Sequence, residues 1–200
     1  MAFDLDGTLL RGRTVCQLLA VPCGRVSDTA AFERSATEAE VEAGRVAMVA
    51  WYQGVPRETL LGALEAAEWA PGAASAVVEL RRRGIEVIIA SITWSFAVEW
   101  FAARLGITRC LGTELLAGGQ VRHAWPRHKG AWVKQQAEDL GVPGHRIAAV
   151  GDSAGDTELL GAAAVRVFVG TTVPAPLTGV HHLPGSGLDE VAALILDAWA

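Results

Sequence analysis

The chain has 200 residues, 51% hydrophobic and 20% charged, which supplies one sizeable core and excludes a disordered protein. Its net charge is −5, with a pI near 5.5 and no basic run beyond Arg81-Arg82-Arg83, so a nucleic-acid partner is excluded. The length allows one domain, or one core domain with a small insertion.

Residues 1–5 read as an apolar strand ending in Asp4-Leu5-Asp6-Gly7-Thr8. Met1 leaves this strand short for a central one, so either the native start lies upstream or the chain is a truncated form. Residues 14–70 read as helical, with Leu18 and Leu19, then Val41, Val46 and Val49, then Leu60, Leu61 and Leu64, punctuated by Pro22, Gly24, Gly54 and Pro56. This stretch is expected to be a small helical cap over the first loop, leaving 1–13 and 71–200 as the core domain. Pro71-Gly72 opens a helix ending near Arg83, where the three arginines favour the dipole. Residues 85–90 form a continuous apolar strand of the fully buried type. Residues 95–105 are helical, 110–122 a hairpin turning at Gly118-Gly119, and 129–140 an amphipathic helix. A second buried strand spans 146–150, followed by a helix near 156–163, strands at 165–169 and 180–183, and a last helix over 188–199. The alternation predicts an α/β fold: a doubly wound, mostly parallel sheet covered on both faces. There are no repeats or low-complexity segments.

Three cysteines, Cys16, Cys23 and Cys110, show no C-x-x-C spacing and read as reduced, mainly buried thiols. No apolar run reaches membrane-spanning length, and Asp4 and Asp6 stand where a signal peptide would be basic and then apolar. A cytoplasmic protein with no membrane partner is expected. Arginine outnumbers lysine 15 to two, so Lys129 and Lys134 stand out against a strong compositional bias. A lysine kept under that bias marks a place needing a compact ammonium.

The chemistry gathers at predicted strand ends. Asp4 and Asp6 are one residue apart at the exit of the first strand, and so close a pair repels unless a cation or a shared proton relieves it. Ser91 follows the second predicted strand, and Gly151-Asp152-Ser153-Ala154-Gly155-Asp156 follows a third. Lys129 opens a helix, where its charge opposes the dipole. In a doubly wound sheet, ligands bind beyond the carboxyl ends of strands. Carboxylates suit a hard cation such as Mg²⁺, and a hydroxyl with an ammonium suits the oxygens of a phosphoryl group. Taken singly, Ser91 reads equally as a turn residue, Lys129 as a solvated one and Asp156 as a helix cap.

In this order and spacing, Asp4-Leu5-Asp6-Gly7-Thr8, Ile88-Ile89-Ala90-Ser91, Lys129 and Gly151-Asp152 through Asp156 resemble the haloacid dehalogenase superfamily of phosphatases, in its phosphoserine phosphatase-like subgroup. The resemblance implies Asp4 as nucleophile and Asp6 as general acid and then base. It implies Ser91, the Ile92 amide and Lys129 as phosphate-binding groups. Mg²⁺ would be held by Asp4, the Asp6 carbonyl and Asp152, with Asp156 close by. Two departures bear on selectivity. Phosphoserine phosphatases carry a glutamate shortly after the first motif, and Arg13 stands there. The Gly-Gly that follows their serine is Ile92-Thr93, followed by Trp94. Arg13 and Trp94 are therefore expected to select against an ammonium-bearing substrate and to admit a larger or flatter leaving group. Most tryptophans, and the histidines other than His128, read as structural.

The expected function is a Mg²⁺-dependent phosphatase acting on a small phosphorylated metabolite through an aspartyl-phosphate, as a monomer or homodimer. The alternatives are a phosphotransferase or phosphomutase with the same nucleophile, and a non-catalytic binding relative.

Overall fold

The computed structural model describes residues 1–35 and 37–199. In chain order, β1 (Ala2–Phe3) leads to β2 (Leu10–Arg11), then to helices α1 (Val15–Ala20), α2 (Val26–Glu33), α3 (Glu38–Tyr52) and α4 (Arg57–Ala63), and to β3 (Glu68–Trp69). Next come α5 (Ala73–Arg82), β4 (Ile88–Trp94), α6 (Ser95–Arg104), β5 (Cys110–Leu115), β6 (Val121–Arg122) and α7 (Pro126–Asp139). The chain ends with β7 (Ala148–Gly151), α8 (Thr157–Gly161), β8 (Val165–Phe168), β9 (His181–His182) and α9 (Leu188–Ala198).

Alternation along the strands builds the two layers. Side chains of successive strand residues face opposite ways. Phe3, Ile89 and Val150 enter one cluster with Val77 and Leu80 of α5 and Val191 and Ile195 of α9. Their neighbours Ala2, Ile88 and Ala149 enter another with Val133 of α7 and Leu159 and Leu160 of α8. Each large apolar side chain buried this way contributes about 1.5–3 kcal/mol. With both faces covered, the central strands need no polar side, so their sequences are continuously apolar. The sheet order is β6-β5-β4-β1-β7-β8-β9, parallel except for the β5–β6 hairpin. This is the doubly wound, mostly parallel α/β sheet expected from the sequence.

Several local features differ from expectation. β1 is two residues long, although the Asp4 amide still bonds the Val150 carbonyl at 3.0 Å. β4 starts later than predicted, because the Ile85 amide closes α5 onto the Leu80 carbonyl at 3.0 Å. It also runs on to Trp94, with an irregular ladder to β5 between Ala90 and Trp94. α7 starts at Pro126, where a missing N–H and a fixed φ suit the first helical position. In the helical segment the buried stripe of α3 is Arg45, Met48 and Tyr52, and Val46 is 59% exposed. Of the other valines in the helical pattern, Val41 and Val49 are half-buried. An antiparallel ribbon of β2 and β3, unforeseen because two-residue strands carry no period, joins the two ends of the helical segment.

Candidate active site

β1 lies between β4 and β7, so the chain leaves its central strand where the strand order reverses. That is where a doubly wound sheet opens a crevice. Asp4, just beyond β1, is 5% exposed and Lys129, the fourth residue of α7, is 3% exposed. The Lys129 Nζ donates to Asp4 Oδ1 at 2.6 Å and to Asp156 Oδ1 at 2.7 Å. The other Asp156 oxygen accepts from the amides of Asp152 at 3.1 Å and Ser153 at 3.2 Å, which closes the loop after β7. Asp6 is partly exposed, and its Oδ1 accepts from the Val15 amide at 2.8 Å, at the start of α1. Ser91 is buried, and its hydroxyl accepts from the Thr93 amide at 3.2 Å.

Two glycines make this cluster sterically feasible. Gly7 has φ +82°, and a Cβ there would lie 2.1 Å from a carboxylate oxygen of Asp152. A Cβ on Gly130 would lie 2.3 Å from the Glu158 carbonyl, so its absence lets α7 approach α8 and brings Lys129 within reach of both acids. Gly130 carried no signal in a single sequence, because its need arises from the packing of two helices.

Oxygens of Asp4, Asp152 and Asp156 all lie within 4.8 Å of one another. Burial pushes the Asp4 carboxyl well up, and the neighbouring Asp156 adds to this against the pull of Lys129. Burial likewise raises Asp6 and Asp152 to about 6 each. For Lys129 burial works downward, but the charges of Asp4 and Asp156 outweigh it and hold the ammonium above its usual pKa. Three carboxylates face one ammonium, which leaves a negative excess that a divalent cation matches. The all-oxygen donor set fits a hard ion. The Asp6 carboxylate stands outside this triad and is engaged by α1.

A cavity of ≈ 400 Å³ opens over the cluster, with Asp4, Asp6, Ser91, Ile92 and Lys129 among the residues lining it. Phe32, Met48 and Trp94 supply apolar wall, and Trp94 is buried. Asp152 and Asp156 are not among the lining residues. Arg13 stands apart from the other expected site residues. It is exposed, on the bend between Gly12 at φ +72° and the Thr14 cap of α1, and it does not line the cavity. Besides Asp4 and Asp6, the cavity is lined by one more acid, Glu33 of α2, which accepts from the Thr14 hydroxyl at 2.6 Å and from Gln17 Nε2 at 3.0 Å. His128 bonds the Trp125 amide rather than lining the cavity.

Arg45 of α3 was missed by the sequence reading. It is 3% exposed, lines the cavity, and lies on the i, i+3, i+7 stripe with Met48 and Tyr52 that could have flagged it. Its Nη2 donates to the carbonyls of Ile92 at 2.7 Å and Ala124 at 3.1 Å. Burial lowers its pKa to about 10.

Residues 1–161 match the family of haloacid dehalogenase-like hydrolases. The chain belongs to that family. It is 29% identical over 176 residues to phosphoserine phosphatase SerB2 of Mycobacterium tuberculosis, covering 84% of this chain and 43% of that protein. It is 28% identical to a phosphoserine phosphatase of Albidiferax ferrireducens, covering 97% of this chain and 88% of the relative. The chain thus spans less than half of the mycobacterial relative and most of the other. Its fold superposes on that of a phosphoserine phosphatase solved with a phospho-aspartyl intermediate analogue, with TM-score 0.80 at 21% identity over 96% of each chain. Among the described residues, no helix is long and apolar enough to cross a membrane.

Proposed function

We propose that this chain is a phosphatase that hydrolyses a small phosphomonoester by way of an aspartyl-phosphate, and that it depends on Mg²⁺. The observation that carries the reading is Lys129 bridging Asp4 and Asp156 at the switch point, in a buried cluster with an excess of carboxylate. Membership of a hydrolase family and likeness to phosphoserine phosphatases support it.

In this reading an Asp4 carboxylate oxygen attacks phosphorus, and the bond to the leaving oxygen breaks. Asp6 gives that oxygen its proton, then takes one from the water that attacks the aspartyl-phosphate. A carboxyl raised to about 6 suits both duties near neutral pH. Splitting the hydrolysis into two displacements lets one set of aligned groups serve both. Ser91 and the Ile92 amide hold phosphoryl oxygens, and Lys129 pulls against the rise in the Asp4 pKa and offsets the phosphate charge. Asp4, Asp152 and the Asp6 carbonyl would hold Mg²⁺, with Asp156 beside it. When bound, the ion supplies charge neutralisation for the carboxylates and the phosphoryl oxygens. Residues 14–70 act as a cap that excludes water over a core of 1–13 and 71–200.

Glu33 at the wall offers an acid to an ammonium-bearing substrate, whereas Arg13 is exposed and not among the lining residues. Phosphoserine, the substrate named for the relatives, becomes the first compound to test, with Trp94 and Ile92 shaping the space around the leaving group. The test is phosphate release with Mg²⁺ across phosphorylated metabolites. Loss of release in Asp4→Asn supports the reading. Release surviving in that variant overturns the nucleophile, and an isomeric product needing a bisphosphate primer replaces hydrolysis by phosphate transfer.

A further inference from the structure

A closed hydrogen-bond network lies beneath the phosphate-binding segment, and its donors come from outside the sequence motifs. The Ile92 carbonyl accepts from Arg45 Nη2 at 2.7 Å and from the Thr113 hydroxyl at 2.8 Å. The Thr113 oxygen in turn accepts from the Ala124 amide at 3.1 Å, and the Ala124 carbonyl accepts from Arg45 Nη2 at 3.1 Å. Arg45 also pairs with His123 Nδ1 at 3.1 Å and lies 4.9 Å over the Trp125 ring. Arg45 and Thr113 are 3% and 0% exposed.

The location explains why such a network is needed. Between Ala90 and Trp94 the β4–β5 ladder is irregular, so the sheet alone does not hold the peptide groups that follow Ser91. Ala124 lies just before Pro126, where α7 starts and carries Lys129 into the site. One guanidinium and one hydroxyl thus tie together β4, β5 and the approach to α7, and Arg45 ties all three to α3. Among the described residues Arg45 is bonded to no carboxylate, and three of its five N–H donors go to two main-chain carbonyls and an imidazole. A buried donor set used this way fixes backbone position, and loss of either donor leaves carbonyls unpaired in a dry site.

We propose that Arg45 and Thr113 are positioning residues: through the Ile92 carbonyl and Ala124 they hold the Ser91 segment and the start of α7 in register, so that docking of α3 completes the phosphate site. This rests on the phosphatase reading above. It differs from a role for Arg45 in gripping an anionic group of the substrate, because a positioning residue matters equally for a substrate that has none.

The test is turnover of p-nitrophenyl phosphate, which carries neither carboxylate nor ammonium, together with calorimetric binding of inorganic phosphate in Mg²⁺. Arg45→Met is expected to lower kcat by about 10²-fold, the scale for a displaced reacting group. Arg45→Lys does not restore it, since an ammonium lacks the planar fork. Thr113→Val, which removes both bonds of the hydroxyl, lowers kcat by about tenfold or more, the scale of buried backbone groups left unpaired, and Thr113→Ser recovers most of that loss. Inorganic phosphate binds more weakly to Arg45→Met and Thr113→Val than to the parent. Wild-type kcat on p-nitrophenyl phosphate in Arg45→Met, with loss confined to KM for carboxylate-bearing esters, overturns the proposal. If Arg45→Met fails to fold, the Thr113 pair decides, and equal activity of Thr113→Val and the parent overturns it. If the parent turns over no phosphoester, the phosphatase reading fails on its own and phosphate binding decides the positioning role, with unweakened binding in Thr113→Val counting against it.

Discussion

Two cavities of similar size sit at opposite ends of the sheet, ≈ 400 Å³ over the carboxyl ends of β1 and β4 and ≈ 340 Å³ beside Met1, Gln136 and Arg146 at the other end. Their charges differ. Asp4, Lys129 and Arg45 at the first are buried, whereas Arg83, Glu86 and Arg146 at the second are exposed. Burying an ionised group costs several kcal/mol unless a network repays it, so a cluster of them marks a place kept for chemistry. Cavity volume alone makes no such distinction.

That contrast breaks first at Asp4, the proposed nucleophile. Asp4→Asn is expected to reduce Mg²⁺-supported phosphate release to background, while Arg146→Ala at the opposite end changes kcat less than about twofold, in line with the small effects of surface changes. Comparable losses in the two variants, measured by phosphate release, remove the distinction. Removing one partner of a buried ion pair costs about 3–5 kcal/mol. Lys129→Met is therefore expected to lose about that much in denaturant unfolding without metal, and Mg²⁺ narrows the gap. Gly130→Ala presses a methyl group onto the Glu158 carbonyl, and overpacking of this kind costs about 1–3 kcal/mol. It should lower Tm and kcat together, because α7 carries Lys129 away from Asp4.

The smallest effect is the pH dependence of the metal-free protein. Asp4 is raised in the folded state, as are Asp6 and Asp152, the latter two to about 6. The folded chain therefore binds more protons than the unfolded one between about pH 4 and 6, and stability falls as pH rises through that window. Thermal melts in chelator should show a lower Tm at pH 7.5 than at pH 5, and Mg²⁺ should raise Tm more at the higher pH. A Tm that rises with pH in chelator refutes the crowding of these acids.

Much of the fold was legible because its signals are local. Continuous apolar runs such as Ile88-Ile89-Ala90 announce strands buried on both faces, and the turn residues Pro71-Gly72 and Gly118-Gly119 divide the chain where it turns. Asp4, Asp6, Asp152 and Asp156 were legible because each follows a strand, and Ser91 and Lys129 because each is a polar residue at the end of an apolar run or near the start of a helix. Arg13 was singled out by adjacency in sequence, which does not fix adjacency in space: the bend at Gly12 leaves it exposed and not among the residues lining the cavity. Arg45 lies inside a helix, where only its place on the stripe with Met48 and Tyr52 sets it apart, and Thr113 lies inside a strand, where its type carries no signal.

The sequence by itself determined the order of the main strands and helices, which acids follow the strands and which lysine stands near a helix start, because these follow from periodicity and from residue type. Only the tertiary structure decided that Lys129 reaches both Asp4 and Asp156, that Glu33 rather than Arg13 faces the cavity, and that Arg45 bonds the Ile92 carbonyl. Each of those joins residues far apart in the chain. Their distances are set by how helices pack on the sheet, which no local pattern encodes.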